Sequence, residues 1–556
     1  MKDSPLVEIF QKLGQGAKGS VQNGRSLGEL DKYLHVKRPV DDLLRQKMQE
    51  IENAGGGLVL LIGSAGDGKS HLISCLKSEG IFTDFIFYND ATESYSPSDT
   101  ATQTLKLALS EFQDCNIAST SRKMVLAINL GKLNEFIEDN AVIESYGQLI
   151  KVVSSIFNDD DAGDGNNSDR IKVVQFTNQQ IYEIRKDSDE EYPVSSHFLS
   201  SILKKITNRS EDNPFYKAYK VAKSQSGETI DPAVLNYELL SIPMVQNTIV
   251  KMCIEAIIRF QLMLTPRDFL DFVYRIVVYD DYRNFTVAHD FFKALLPTLI
   301  YSYGDNRILQ SLYYLDPLKY SSSDHDKDLA LLFTAINFPE QYFSQEDYGA
   351  LPQTIVKNVN AFYGNGEKNV TDLSEFLLRL KHLMDYHSES AAYKEFLKRY
   401  CECINNDPTA YLQAYSLVNQ SIIRHYGSYY EKDNLVPLNI QGSKFRLFAH
   451  VHINVEKPDV PYRSENVFYP YLLLKWTVHG KNETITLRLD YDLYGYLKDL
   501  GNGMLNVNYE NDTNMEFNHF IGQLIDCSDK EKEVVILDDE NKENNIGYQF
   551  GVLIFK

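Results

Sequence analysis

The stretch "LVLLIGSAGDGKSHLISCLKSEG", residues 58 to 80, limits what this chain can fold into more than any other. Five consecutive apolar residues read as a buried strand, and after the glycine-rich bend the apolar positions recur at helical spacing. Gly63, Gly68, Lys69 and Ser70 stand where the pattern Gly-x4-Gly-Lys-Ser requires them. Glycine at the first two positions lets successive backbone N–H groups converge on a phosphate. A helix opening at Gly68 aims the positive end of its dipole at the same anion. Lys69 is then expected to reach the β- and γ-phosphates, and the Ser70 hydroxyl to ligate Mg²⁺. The expected nucleotide-binding set is Gly63, Ser64, Ala65, Gly66, Asp67, Gly68, Lys69, Ser70 and His71, with ATP and Mg²⁺ as the ligands.

Around this loop, strand and helix signals alternate. The apolar runs "LVLLI", "DFIFY", "MVLAINL" and "KVVQF" are short and β-compatible, whereas "SHLISCLKS", "TLKLALSEF" and "YGQLIKVVSSIF" have helical periodicity. Such alternation predicts a largely parallel sheet flanked by helices. Upstream, "HVKRPVDDLLRQKMQE" predicts a helix with Pro39 as its first residue. The expected organisation is a helical lead-in (1–54), an α/β nucleotide-binding domain (55–190), a helical lid and middle region (191–435) and a β-rich C-terminal domain (436–556). In that last part "YLLLKWTV-HGKN-ETITLRLDYDLY" and "EVVIL-DDENKENN-IGYQFGVLIF" read as strands joined by turns.

A triphosphatase needs more than the loop. An acid at the end of a neighbouring strand should hold the magnesium or polarise the attacking water. "FIFYNDATES" offers Asp90 and Glu93 for this role, with Asp90 also the expected metal ligand, although it follows Ser70 by only 20 residues. The strand at the more usual distance, "MVLAINLGKL", ends in Asn129 and carries no acid. An asparagine there is similar to the first sensor of AAA-type ATPases, which orients water near the γ-phosphate. In "LMLTPRDFLDFVYRI", Arg267 falls in the first turn of a helix started by Thr265 and Pro266, and resembles a second sensor on a helical lid. Pairing with Asp268 or Asp271 is the plainer role for it. No arginine finger stands out, although Arg122 and Arg170 each precede a strand.

The net charge of −21 opposes non-specific adhesion to nucleic acid. DNA would have to be met through a local groove or a partner. No apolar run approaches the roughly 20 residues a bilayer requires, so no membrane role is expected. The N-terminus lacks the pattern of a secretory signal, and scattered cysteines suggest reduced thiols in a bacterial cytoplasm. Other constellations are weak. The acidic run 158–170 has the wrong spacing for a calcium loop, and Cys401 and Cys403 have no second pair. His450 and His452, alternating along one strand, lack a third ligand. Asp539, Glu540 and Lys542 suit a charged hairpin turn better than a nuclease site.

Taken in order, "LGELDKYLHVKRP", "LIGSAGDGKSHL", "FIFYNDATES", "MVLAINLGKLNEF" and "LTPRDFLDF" resemble the DptF family of subunits of bacterial phosphorothioation-dependent DNA restriction systems. The resemblance implies an ATPase subunit working with DptG-like and DptH-like partners against DNA that lacks backbone sulfur, with DNA met through the complex. It adds no residue beyond Gly63, Gly68, Lys69, Ser70 and Asp90. The expectation is therefore an AAA-like α/β P-loop NTPase with a helical lid and a β-rich C-terminal domain, with self-association compatible with it. The alternative is a nucleotide-gated assembly switch that turns over little ATP, favoured by the acid missing from the Asn129 strand.

Overall fold

Leu58 to Ile62 are each at most 1% exposed, as an uninterrupted apolar run demands of a strand covered on both faces. The computed structural model describes residues 4–19, 28–89, 101–157, 168–176, 179–186, 193–225, 231–279, 291–320, 323–335, 337–364, 370–388, 390–426, 434–438, 446–480, 483–504, 512–531, 533–537, 542–549 and 552–555. They fall into two units, one of residues 1–183 with 195–387 and one of 184–194 with 388–556.

The first unit is a mixed α/β body. Helices α1 (Pro5–Gly19), α2 (Glu29–Leu34) and α3 (Pro39–Asn53) precede strand β1 (Gly57–Ile62) and helix α4 (Lys69–Glu79). Pro39 is the first residue of α3, where its missing N–H costs nothing. Then come β2 (Phe85–Asn89), α5 (Ala101–Ala108), β3 (Lys123–Ile128), α6 (Leu130–Ile137), α7 (Asn140–Ile143), α8 (Gly147–Phe157) and β4 (Ile171–Gln175). The four strands form one parallel sheet in the order β2-β3-β1-β4. Ile62 is level with Ile128 on one side and Gln175 on the other, so the carboxyl ends of the strands share one edge.

The pleat sorts the sheet's residues between two cores. Val59 and Leu61 of β1, with Val125 and Ala127 of β3, pack under Leu44 and Met48 of α3 and Leu72 and Leu76 of α4. Leu58, Leu60 and Ile62, with Met124 and Leu126, face Leu105 of α5, Phe136 of α6 and Leu149 of α8. This alternation is the period of two that a strand imposes. It puts α3 and α4 on one face and α5, α6 and α8 on the other. Beyond β4 the unit is mainly helical, beginning with α9 (His197–Thr207), α10 (Pro214–Gln225), α11 (Pro232–Leu240), α12 (Pro243–Arg259) and α13 (Pro266–Val277). Helix α1 returns to pack on α10 and α13.

The second unit is strand-rich and antiparallel, with helices Ala391–Ile404 and Pro408–His425 preceding its sheets. Strands Leu472–Val478 and Thr484–Leu489 pair as the turn signals predict. The run "DYDLY", however, is not strand. The Asp490 carboxylate accepts the Leu493 N–H and starts helix Tyr491–Gly501, which buries Leu493, Leu497 and Leu500 at spacings of four and three. His450 and His452 also part company: His450 ends strand Arg446–His450, and His452 lies beyond it, 3.1 Å from Asp529. Cys401 and Cys403 are buried in helix Ala391–Ile404, and none of the six cysteines is in a disulfide. No helix among the described residues is long and apolar enough to cross a membrane.

Candidate functional site

The chain leaves β1 at Ile62 and re-enters regular structure at Lys69, so residues 63–68 cross the carboxyl edge of the sheet, where open α/β sheets bind ligands. Gly66 has φ +95° and Gly68 φ +98°, a left-handed backbone that side chains disfavour. Space is as short as conformation. A β-carbon on Gly66 would lie 2.9 Å from the Thr265 hydroxyl, and one on Gly68 would lie 3.0 Å from the Arg38 guanidinium. The first N–H groups of α4, lacking partners in their own helix, open at this point.

Lys69 folds back over the loop, its Nζ donating to the carbonyl oxygens of Gly63 and Ser64, each at 2.7 Å. Asp67 braces the loop from within by accepting the Ser64 N–H on its carboxylate. Burial pushes the Asp67 carboxyl up, against the opposing pull of that N–H bond and of Lys69. A cavity of about 410 Å³ opens beside the loop, lined by Ala65, Gly66, Gly68, Lys69, Ser70 and His71. Asn129 and Arg267 line the same cavity from two other elements.

Asn129 follows β3, the strand beside β1. Its side-chain oxygen accepts the Lys132 N–H at 2.7 Å and caps α6, which leaves the amide donors as what it can offer a ligand. Arg267 stands in the first turn of α13, as "LTPRDF" predicts. Thr265 caps that helix reciprocally with Asp268, while Asp271 accepts from Arg275 at 2.8 Å and from Asn306 at 2.8 Å. Because Thr265 also abuts Gly66, the start of α13 is held directly against the glycine loop. Backbone N–H groups, an ammonium and a guanidinium thus meet at one cavity, an arrangement suited to a polyanion.

Arg122 and Arg170 are elsewhere. Arg122, preceding β3, bonds Glu111 at 3.0 Å, and Arg170, preceding β4, bonds the Gly56 carbonyl at 2.8 Å. Both stand where strands begin, at the edge opposite the loop. Asp90 and Glu93 lie outside the described residues, as do Asp539, Glu540 and residues 158–167 of the acidic run.

Sequence reasoning missed Arg38. Its guanidinium donates to the Asp67 carbonyl at 2.9 Å and sits 4.8 Å from the Phe176 ring centroid and 5.3 Å from that of Phe198. Nothing in "HVKRP" signals this, because the partners come from the loop, the end of β4 and α9. Arg38→Ala is expected to remove about 2 kcal/mol of stability through the lost charged hydrogen bond and cation–π contacts. Arg38→Lys, a point charge without the planar fork, is expected to restore less than half of it. Urea unfolding of the two variants measures both.

No family model, curated protein or solved structure matches the chain.

Proposed function

We propose that this chain is an AAA-like P-loop ATPase that serves as the nucleotide-dependent subunit of a restriction complex acting on DNA without backbone phosphorothioate. The single observation that supports the nucleotide half is the convergence of the glycine loop, Asn129 and Arg267 on one cavity at the carboxyl edge of a parallel sheet. Its volume of about 410 Å³ falls within the roughly 300–1,000 Å³ of small-molecule sites. In this reading the loop N–H groups and the α4 terminus bind the β-phosphate, Lys69 bridges the β- and γ-phosphates, and Arg267 contacts the γ-phosphate. Asn129 positions the attacking water. Magnesium is a hard cation that takes oxygen ligands, so the Ser70 hydroxyl with the Asp90 carboxylate suits it.

The restriction half rests on the ordered resemblance from "LGELDKYLHVKRP" to "LTPRDFLDF". The net charge of −21 fits a subunit that powers or gates an assembly, with DptG-like and DptH-like partners gripping DNA in a bacterial cytoplasm. A switch that binds ATP and hardly hydrolyses it is the second reading, favoured by the commitment of the Asn129 oxygen to the α6 cap. Cells carrying the complete system test the assignment. Lys69→Ala, at unchanged protein level, is expected to lower exclusion of unmodified plasmid at least 100-fold. Exclusion equal to wild type would overturn it.

A further inference from the structure

Next to the cavity, three side chains that the nucleotide reading does not need together converge on a point. His35 caps the end of α2, while His71 and Cys75 stand four residues apart on one face of α4. His35 Nδ1 is 3.0 Å from His71 Nε2, and Cys75 Sγ is 3.5 Å from each of these nitrogens. We propose that His35, His71 and Cys75 form a zinc site that ties the segment before α3 to the helix of the glycine loop.

Metal–ligand lengths of about 2.0–2.1 Å for nitrogen and 2.3 Å for sulfur, at a tetrahedral angle, separate two nitrogens by about 3.3 Å and nitrogen from sulfur by about 3.6 Å. The observed separations lie within a few tenths of an ångström of both. A hydrogen bond between the imidazoles explains their own distance, and a thiol can donate to one nitrogen and accept only weakly from the other, so three short separations at once suit a shared metal better than hydrogen bonds alone. Behind His35, on its other ring nitrogen, stands the Asp41 carboxylate at 3.7 Å, itself only 2% exposed. At 3.7 Å this is an ion-pair neighbour rather than a hydrogen bond, and a carboxylate on that side favours the tautomer with a protonated Nε2 and an Nδ1 lone pair turned toward His71 and Cys75. Two imidazoles and a thiolate select zinc over the hard magnesium of a phosphate site.

Burial lowers the His71 pKa to about 4, so its imidazole is in the neutral, ligating form at pH 7. Burial raises the Cys75 thiol to about 11, and the metal binds by displacing that proton to solvent as the sulfur–metal bond forms. Both imidazoles also line the cavity, so the fourth position of a bound ion would face its solvent. His71 is two residues past Lys69, so the ion would fix the first turn of α4.

Titration of the full-length reduced chain with Co²⁺ tests the site by the metal's own spectrum, independently of any ATPase activity. The expected result is one cobalt per chain with a thiolate-to-cobalt charge-transfer band and tetrahedral visible bands. Cys75→Ser should lose the charge-transfer band, and His35→Gln should weaken binding at least tenfold. Absence of the band in the wild type overturns the proposal. So does a band undiminished in Cys75→Ser, which would put cobalt on another thiol such as the exposed Cys115. Should Cys75→Ser fail to fold, His35→Gln decides alone, and an affinity within twofold of wild type rejects the site.

Discussion

Lys69→Ala is expected to reduce steady-state ATP turnover by at least about 100-fold while leaving the melting temperature within about 2 °C of wild type. The asymmetry follows from where the ammonium sits. It donates to the Gly63 and Ser64 carbonyls; the Ser64 bond is exposed and the Gly63 bond only part-buried, so water can replace the lysine fully at the one and in part at the other. Little folding energy is at stake. In the proposed ATPase reading the same ammonium exchanges these carbonyls for phosphate oxygens, whose charge it stabilises in the transition state. Removing one well-placed charge stabiliser of this kind typically costs about 3–4 kcal/mol. Turnover within threefold of wild type would mean that the loop does not carry the chemistry. A collapse in melting temperature would mean that the back-folded lysine is mainly a brace.

Much of this arrangement is legible in the sequence because it is local. The run 58–62, the bend and the periodicity of 69–79 describe one continuous strand–loop–helix, and Pro39 and Thr265–Pro266 mark helix starts within a single turn. What escapes the sequence is set by pairing at long range. Chain order gives no hint that β3 inserts between β1 and β2. Arg38 finds the Asp67 carbonyl 29 residues away, and His35 finds His71 36 residues away. The misread "DYDLY" fails for another reason. Over five residues an alternating pattern also satisfies the first turn of a helix, and the deciding signal is the Asp490 cap rather than the period.

The strand order bears most on the missing acid. Asp90 follows Asn89, the last residue of β2, and β2 runs parallel to β1 with β3 between them. The chain therefore leaves β2 at the same carboxyl edge from which the glycine loop and Asn129 leave β1 and β3. Of the acids in "NDATES", Asp90 is the nearer to that edge along the chain. Asp90→Ala is expected to lower Mg²⁺-dependent turnover at least about 100-fold, with nucleotide affinity falling less than tenfold. In the proposed reading the loop and Lys69 would still hold the phosphates while the carboxylate proposed to complete the magnesium site would be gone. Glu93→Gln should cost less than Asp90→Ala. A larger loss in Glu93→Gln would move the acid three residues on. If instead the wild type binds ATP tightly and none of these variants changes an already negligible turnover, with or without unmodified duplex, the ATPase reading fails and the gated switch replaces it. In that case Asn129, with its oxygen accepting the Lys132 N–H at the α6 cap, would sense the γ-phosphate without activating water, and the useful work would lie in what the bound nucleotide lets the chain assemble with.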